Sequence, residues 1–184
     1  MKPWMVALSI VAVAFLEVSM SVTAHPQDPL AVGAAAPDFT LPYATRDSIA
    51  TAPYTLAAEI GKGPIVLAFY PADWSGGCTK EVCAFRDGFG DLATLGVRVW
   101  AISGDYVFSH FEWAKHHNLP FALLSDHDHA VAKRYATYNA DKGYNVRSIY
   151  VIDTKGKIAY VNLQYSVADG KDFDALKTAL AKIK

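Results

Sequence analysis

The chain has 184 residues, with 17 Lys and Arg against 18 Asp and Glu, which gives a net charge of −1. This balance excludes the basic excess that nucleic-acid binders need, and 52% hydrophobic against 19% charged residues excludes a disordered chain. Two cysteines, Cys78 and Cys83, are too few for a disulfide scaffold or for a zinc site with four cysteine ligands. The length favours a single domain with its own core.

Residues 1–24 have the pattern of an export signal. A positive start is followed by an apolar run over residues 4–16 that one serine interrupts, and small residues end the segment at Ala24. The run is shorter than the roughly 20 apolar residues of a membrane-spanning helix. We therefore expect a signal peptide cleaved after Ala24, with an N-terminal membrane anchor as the alternative. Both place the remainder outside the cytoplasm, as a flexible lead-in over residues 25–30 and a domain over residues 31–184.

The first predicted elements surround a continuous apolar run. Residues 31–42 are extended and bounded by prolines, which is typical of an edge strand or a hairpin arm. Residues 64–70 form the apolar run, which predicts a central strand buried on both faces. A helix is expected from about residue 78 to 95, with Gly96 as its stop. Residues 97–103 then predict a second strand.

The second half of the chain continues this alternation. Asp105 is placed to cap a helix that carries Phe108, Phe111 and Ala114 at helical spacing. The later predicted elements are a strand over 121–124, a helix over 130–138 capped by Asp126 or Asp128, a hairpin of 148–152 and 157–161, and a closing helix over 172–183. This order predicts an α/β sandwich whose mixed sheet is parallel in the middle and antiparallel at one end.

Cys78 lies where the predicted helix begins, directly after the central strand. Backbone N–H groups in a first helical turn are unpaired and the helix dipole is positive there, so both features favour a thiolate over a thiol. Gly76 and Gly77 let the backbone pass close to whatever the sulfur attacks. Ser75, three residues before Cys78, can turn its hydroxyl towards the sulfur. The stretch therefore predicts a reactive cysteine.

Cys83 follows Cys78 by five residues, which is about 7.5 Å of rise along a helix, with the two side chains on different faces. A disulfide requires Cα atoms within roughly 7 Å and converging side chains. The two cysteines can therefore pair only if the first turns of the helix unwind. Two interpretations stay open: Cys83 is a small buried side chain unrelated to Cys78, or it is a resolving thiol in a segment that moves.

The stretch Pro71-x-x-x-Ser75-x-x-Cys78 resembles the reactive loop of the peroxiredoxins. The sequence Cys-Thr-Lys-Glu-Val-Cys, together with Phe85-Arg86-Asp87, is similar to the bacterioferritin-comigratory type of that family, whose resolving cysteine lies five residues on in the same helix. Other segments resemble the opening of the family, its middle and the strand that carries its arginine: Val32–Pro42, Ser109-His110, Leu119–Phe121, Leu123–Asp126 and Arg147-Ser148.

The resemblance implies a thioredoxin-like fold, a three-layer sandwich with a mixed central sheet, and the reduction of hydroperoxides. It implies that Cys78 attacks the peroxide, that Cys83 resolves the sulfenic acid as a disulfide, and that a thioredoxin-like dithiol reduces this disulfide. The expected partners are therefore a hydroperoxide and a dithiol donor, without nucleic acid, cofactor or metal. We expect a monomer or a weak homodimer.

The resemblance also assigns the side chains around the sulfur. Arg147, the Ser75 hydroxyl and the backbone N–H of Cys78 would stabilise charge on the leaving oxygen, and Arg147 would keep Cys78 ionised. Pro71 would shape the loop. Glu81 would support the site from one layer further out, although a glutamate in a first helical turn also compensates the helix dipole.

Two positions depart from the family pattern, and the unusual Trp74 creates a second resemblance. Ser75 stands where threonine is more usual, and Gly76 stands where a proline often precedes the last glycine. The segment from Trp74 to Cys78 also resembles the thioredoxin motif W-C-x-x-C with its first cysteine changed to serine. The alternative functions are an exported thioredoxin-like thiol-disulfide oxidoreductase and a redox sensor with a standing Cys78–Cys83 disulfide.

The remaining polar and aromatic clusters predict structural roles. The run Asp126-His127-Asp128-His129 contains potential metal ligands, but it is more typical of a polar loop that leads into a capped helix. Large aromatic side chains are expected in the core: Trp100, Trp113, Phe108 and Phe111.

Overall fold

The computed structural model describes residues 28–183. The predicted signal segment, residues 1–24, and the first half of the predicted lead-in, residues 25–27, lie outside the described residues. Within residues 28–183, no helix has both the length and the apolar character that crossing a membrane requires.

The described part of the chain forms short strands and helices that alternate through most of its length. The strands are β1 (Thr40–Leu41), β2 (Tyr43–Ala44), β3 (Tyr54–Thr55), β4 (Ile65–Phe69), β5 (Arg98–Ser103), β6 (Ala122–Ser125), β7 (Tyr138–Asn139), β8 (Tyr144–Asn145), β9 (Ser148–Ile152) and β10 (Ile158–Asn162). The helices are α1 (Leu56–Glu59), α2 (Gly76–Asp87), α3 (Phe89–Thr94), α4 (Val107–His117), α5 (Ala130–Arg134) and α6 (Lys171–Leu180).

A six-stranded mixed sheet in the order β10-β9-β4-β5-β6-β2 forms the centre of the fold. The strands β4, β5 and β6 run parallel, as the alternation of strands and helices predicts. The prediction of antiparallel pairing at one end was incomplete, because β9 and β10 are antiparallel at one edge and β2 is antiparallel at the other. Every residue of β4 is buried, which confirms the predicted central strand.

Two hydrophobic clusters lie on the two faces of the sheet and make the fold three-layered. Alternate side chains of β4 point to opposite faces, with Val66 and Ala68 on one and Ile65, Leu67 and Phe69 on the other. The first cluster contains side chains of α2, α3, α4 and α6. The second contains side chains of α1 and α5 and of β1. The predicted three-layer α/β sandwich is therefore confirmed.

The helix after β4 differs from the prediction at both ends. It begins at Gly76, two residues earlier than expected, and a break at Gly88 separates α2 from α3. The ring of Phe173 occupies the space that a side chain at residue 88 would need, so Gly88 allows α6 to pack closely there. The chain leaves α3 through Gly96, which has the left-handed φ of 67° and agrees with the predicted stop.

Several predictions for the region after β5 were wrong in detail. Asp105 does not cap α4, which has Tyr106 at its N-cap without a side-chain hydrogen bond. The Asp105 carboxylate instead accepts hydrogen bonds from the Ser103 hydroxyl and from the backbone of Asp73. Phe108 is 70% exposed rather than in the core, because α4 buries His110, Trp113 and Ala114 instead.

Between α5 and β9, the chain folds into a small hairpin that the sequence analysis did not predict. The helix expected over residues 130–138 ends at Arg134, and β7 and β8 then pair as a separate two-stranded sheet. Residues 31–42 form a strand only at Thr40–Leu41, which pairs with β3. These differences lie away from the sheet centre and leave the predicted architecture intact.

Candidate active site

The loop between β4 and α2 positions Cys78 at the start of the helix. Ser75 is the N-cap of α2, and its hydroxyl oxygen accepts the backbone N–H of Cys78 at 3.4 Å. Cys78 is therefore the third residue of the helix, within the turn where the helix dipole is most positive. Its side chain is 1% exposed. The predicted placement of Cys78 at the mouth of a helix agrees with the structure.

Arg147 lies directly across from this sulfur, although 69 residues separate the two in sequence. Arg147 immediately precedes β9, which pairs with β4, so its side chain reaches the carboxyl end of β4 where α2 begins. Its Nη2 is 3.7 Å from Cys78 Sγ, and its Nη1 donates to Oε2 of Glu81. Glu81 is buried on α2, one turn after Cys78. One guanidinium thus contacts both the sulfur and a buried carboxyl group.

The charges of Arg147 and Glu81 depend on each other. Burial raises the pKa of Glu81 to about 7, against the opposing effect of the Arg147 charge. Burial works against the charge of Arg147, but Glu81 and Cys78 together raise its pKa above the ordinary value. Among the described residues, Oε1 of Glu81 has no hydrogen-bond partner. Arg147 therefore stays cationic beside Cys78, while Glu81 changes its protonation near neutral pH.

One of the two glycines before Cys78 gives the guanidinium of Arg147 room. A Cβ at residue 77 would lie 3.0 Å from Nη2 of Arg147, whereas a Cβ at residue 76 would meet nothing within 4 Å. Gly77 therefore permits the close approach of Arg147 to Cys78, and Gly76 does not contribute to it.

Both cysteines are free thiols on one continuous helix, with Cys78 buried and Cys83 partly buried. The structure thus shows the wound form of α2, in which the two cysteines do not pair. Pro71, half-buried, begins the loop directly after Tyr70.

The model of the AhpC/TSA family matches residues 32–161 of this chain. The chain belongs to the AhpC/TSA family. The predicted resemblance to peroxiredoxins of the bacterioferritin-comigratory type is confirmed by a relative from Coxiella burnetii named putative peroxiredoxin bcp. This relative is 39% identical over 137 residues, which cover 71% of this chain and 86% of the relative.

Two plant relatives are chloroplastic proteins named peroxiredoxin Q. The rice protein (Oryza sativa subsp. japonica) is 42% identical over 131 residues, which cover 70% of this chain and 57% of the relative. The wheat protein (Triticum aestivum) is 40% identical over 130 residues, with the same two shares. The chain thus spans little more than half the length of these curated relatives.

Solved structures agree with the fold. The crystal structure of peroxidoxin BcpB from Mycobacterium tuberculosis is 30% identical, has a TM-score of 0.73, and is matched over 84% of this chain and 99% of its own. AhpC from Enterococcus faecalis, at 19% identity and a TM-score of 0.72 over 82% of this chain and 90% of its own, shows the same fold. The predicted thioredoxin-like fold is therefore confirmed.

One site residue of this AhpC/TSA member is oriented differently from our expectation. The Ser75 hydroxyl donates to the carbonyl of Ala72 at 3.2 Å and accepts the N–H of Cys78, so it does not point its hydrogen at the sulfur. The hydrogen bond to the Ser75 hydroxyl oxygen also occupies the backbone N–H of Cys78, which we expected to face the leaving oxygen. In the wound helix Ser75 therefore acts as a cap, and Arg147 is the donor that contacts Cys78 Sγ.

The Asp126–His129 run forms the polar capping loop that the sequence predicts. The Asp126 carboxylate accepts the backbone N–H groups of Val131 and Ala132 at the start of α5. Nδ1 of His127 contacts the carbonyl of Gly104, and Nδ1 of His129 contacts Oδ1 of Asn145. Within residues 28–183, no cluster of His, Cys, Asp and Glu has the geometry of a metal site.

Sequence reasoning missed a second buried polar group next to the reactive loop. Asp73, two residues before Ser75, contacts Ser109 and His110 on α4. The sequence does contain one signal for it. His110 lies three and four residues before Trp113 and Ala114, on the buried stripe of α4, and a buried imidazole requires a polar partner.

Proposed function

We propose that this protein is a thiol-dependent peroxidase that reduces hydrogen peroxide and organic hydroperoxides through Cys78. The observation that carries the proposal is the 3.7 Å contact between Nη2 of Arg147 and the sulfur of Cys78 at the start of α2. A cation and a helix N-terminus converge on one thiol, and both stabilise its ionised, nucleophilic form. Family membership supports the same chemistry.

The first step is an attack of the Cys78 thiolate on the terminal oxygen of the hydroperoxide. An S–O bond forms, the O–O bond breaks, and the leaving alkoxide or hydroxide takes up a proton to become an alcohol or water. Negative charge develops on the leaving oxygen, and a donor already in place stabilises it without reorganisation. Arg147 is that donor, because its guanidinium is held beside the sulfur by Glu81.

The second step is an attack of the Cys83 thiolate on the Cys78 sulfenic acid. An S–S bond forms, the S–O bond breaks, and water leaves. Since both cysteines lie on the wound helix α2, this step requires that the first turns unwind. A thioredoxin-like dithiol then reduces the Cys78–Cys83 disulfide and is itself oxidised to a disulfide.

Single-turnover kinetics with separate cysteine variants test the proposal. Reduced wild-type protein should consume one equivalent of hydrogen peroxide rapidly and end as an intramolecular disulfide, which mass spectrometry reads as a loss of two hydrogens. The Cys83→Ser variant should consume peroxide at an unchanged rate and end as a sulfenic acid. The Cys78→Ser variant should not react, and peroxide consumption that survives this substitution would overturn the proposal.

The alternative functions predict different outcomes in the same experiments. A thioredoxin-like oxidoreductase would reduce insulin disulfides efficiently, which the 1% exposure of Cys78 disfavours because an exchanging thiol must reach a protein disulfide. A redox sensor would carry a standing Cys78–Cys83 disulfide and would turn over peroxide poorly even with excess dithiol. Slow turnover combined with stable oxidation would therefore favour the sensor.

We also propose that the mature protein works outside the cytoplasm, as a monomer or a weak homodimer without a nucleic-acid partner. The predicted signal over residues 1–24 supports export, with a membrane anchor as the alternative, and the net charge of −1 argues against nucleic acid. Mass spectrometry of the exported protein tests cleavage after Ala24. The mass of the uncleaved chain, found in the membrane fraction, would favour the anchor. Sedimentation of the purified protein measures the oligomeric state.

A further inference from the structure

A buried polar cluster that does not include Arg147 holds the reactive loop through separate contacts. At its centre is Asp73, which is 7% exposed. Its Oδ1 accepts the Tyr70 hydroxyl at 2.7 Å, and its Oδ2 accepts the Ser109 hydroxyl at 2.7 Å and lies 2.9 Å from Nδ1 of His110. Three donors, one from the residue after β4 and two from α4, thus converge on one carboxylate. We call Tyr70, Asp73, Ser109 and His110 the Asp73 cluster.

The partners of Asp73 are themselves fixed in place. Tyr70 and His110 are fully buried. Burial and the nearby Asp73 charge raise the pKa of Tyr70 well above its ordinary value, so its hydroxyl remains protonated and donates. Among the described residues Nε2 of His110 has no hydrogen-bond partner, so the ring is oriented by the contacts of Nδ1, with Asp73 Oδ2 at 2.9 Å and with the Tyr70 hydroxyl at 3.4 Å. The cluster therefore defines one position of the Asp73 side chain.

Two further hydrogen bonds, one to Asp105 and one to Ser109, hold the chain at Asp73 and Trp74. The N–H of Asp73 donates to Oδ2 of Asp105 at 2.9 Å, in the loop after β5. The next residue, Trp74, donates from its indole to the Ser109 hydroxyl at 3.2 Å. Trp74 has the left-handed φ of 59°, a conformation that costs energy for a side chain of this size and persists only where surrounding contacts hold it. The residue after it is Ser75, which caps α2.

These contacts bear on the proposed cycle because the two steps need opposite states of the loop. Attack on peroxide needs the loop closed, so that Ser75 caps the helix and Cys78 faces Arg147. Disulfide formation needs the first turns of α2 unwound, and the loop is the segment to which those turns are attached. An interaction that fixes the loop therefore favours the first step and opposes the second.

We propose that Asp73, held by Tyr70, Ser109 and His110, is a positioning residue that sets the balance between the wound and unwound forms of the first turns of α2. This inference rests on the proposed peroxidase function. Asp73 does not contact Cys78 or Arg147 in any described hydrogen bond, so it acts through the loop and not on the reacting atoms.

The Asp73→Asn variant tests the inference with a minimal change of shape. An amide has one acceptor oxygen where the carboxylate has two, and its NH₂ group would face hydroxyl or imidazole donors. We expect the reaction of Cys78 with peroxide to slow by about tenfold and the following disulfide formation to accelerate by about tenfold, because charge-assisted hydrogen bonds are lost from the closed loop only. Rapid-quench mass spectrometry resolves the two steps, and a Cys83→Ser background isolates the first.

The matched control is Asp126→Asn. Asp126 is likewise a buried aspartate, and its carboxylate accepts two backbone hydrogen bonds at the start of α5 rather than any from the reactive loop. This variant should lower the melting temperature without changing the ratio of the two rates. If Asp73→Asn changes the rates of peroxide reduction and of disulfide formation in the same direction, or leaves their ratio unchanged, Asp73 has a merely structural role and the inference is wrong.

Rescue at His110 gives a second test. The His110→Asn variant keeps a donor close to the position of Nδ1, whereas the His110→Leu variant removes it. We expect the ratio of the two rates to stay near the wild-type value in the first variant and to shift towards disulfide formation in the second. Equal ratios in the two variants would contradict a positioning role for the contact with Asp73.

Hydrogen exchange separates the failure of this inference from the failure of the proposed function. The backbone amides of residues 79–83 should exchange about tenfold faster in Asp73→Asn than in Asp126→Asn, whether or not the protein consumes peroxide. Unchanged peroxide consumption after Cys78→Ser would overturn the function alone. Unchanged exchange at these amides would overturn the positioning role alone.

Discussion

Gly77 keeps open the gap through which Arg147 reaches the sulfur, and a single methyl group tests how much that contact contributes. A Cβ at residue 77 would lie 3.0 Å from Nη2 of Arg147, closer than carbon and nitrogen normally pack, so the guanidinium must move by a few tenths of an ångström. The same atom donates to Cys78 Sγ at 3.7 Å. The Gly77→Ala variant therefore lengthens the contact between Arg147 and Cys78 without changing either residue.

The expected loss has two parts. At an effective dielectric constant of about 20, moving the charges from 3.7 Å to about 4.2 Å apart weakens their attraction by about 0.5 kcal/mol. Poorer alignment of the hydrogen bond from Arg147 costs about 1 kcal/mol more. A loss of about 1.5 kcal/mol corresponds to a reaction of Cys78 with peroxide that is about tenfold slower. Alanine also favours a helix over glycine by up to about 1 kcal/mol. Any loss of stability in Gly77→Ala should therefore be no larger than the local strain from the displaced guanidinium.

The control is Gly76→Ala, one residue earlier on the same helix. A Cβ at residue 76 meets nothing within 4 Å, so this variant has the same gain in helix propensity and should keep the wild-type rate. Competition with a reporter peroxidase measures the rate of each variant, and thermal unfolding measures its stability. In an Arg147→Gln background, Gly77→Ala should have no further effect. Equal rates for Gly76→Ala and Gly77→Ala would refute the assigned role of the guanidinium.

Three further predictions concern the groups around the sulfur. The Arg147→Lys variant keeps the charge but loses the fork that contacts Glu81 and Cys78 together, so peroxide reduction should slow by about tenfold, and Arg147→Gln should slow it by about 100-fold in the same competition assay. Burial raises the pKa of Glu81 from an ordinary value of 4.5 to about 7, so its contribution to stability is complete below about pH 4.5 and is lost as the pH rises through about 7. The free energy of unfolding of the wild type minus that of Glu81→Gln should therefore fall by about 2–3 kcal/mol between pH 5 and pH 8 in denaturant titrations, and a rising difference would contradict the burial argument. The Cys83→Ser variant should accumulate a sulfenic acid that dimedone traps and should lose most dithiol-dependent turnover; unimpaired turnover would mean that another thiol resolves Cys78.

The position of Cys78 could be predicted from local patterns, whereas the position of Arg147 could not. An apolar run that ends at Pro71 and is followed by two glycines and a helical segment fixes a strand, a loop and a helix start within 15 residues of sequence. Arg147 lies 69 residues further on. No periodicity or spacing indicates which arginine faces the sulfur, since that depends on β9 pairing with β4. The resemblance to a family supplied this residue.

The helix α4 shows why periodicity alone chose the wrong face. Phe108, Phe111 and Ala114 have helical spacing, but so do His110, Trp113 and Ala114, and the second set is the one that the structure buries. The apolar content of the first set is higher, which made it the better match to the pattern. The face with His110 is favoured because the carboxylate of Asp73, 37 residues earlier, gives the buried imidazole of His110 a hydrogen-bond partner. A long-range polar contact thus decided a choice that hydrophobicity left open.

The packing of Phe85 on α2 sets the point at which unwinding of the helix stops in the proposed cycle. Beyond Cys83, the ring of Phe85 is buried and packs against Phe121, Phe173 and Tyr165 with centroids 5.5–6.5 Å apart. Unwinding through Cys83 therefore releases the contacts of Cys78 and exposes the buried Val82, at a cost of about 1.5–3 kcal/mol for this side chain, but it leaves the aromatic anchor in place. Because the cysteine that must move towards Cys78 lies just before that anchor, the disulfide can form without loss of the core between α2 and α6.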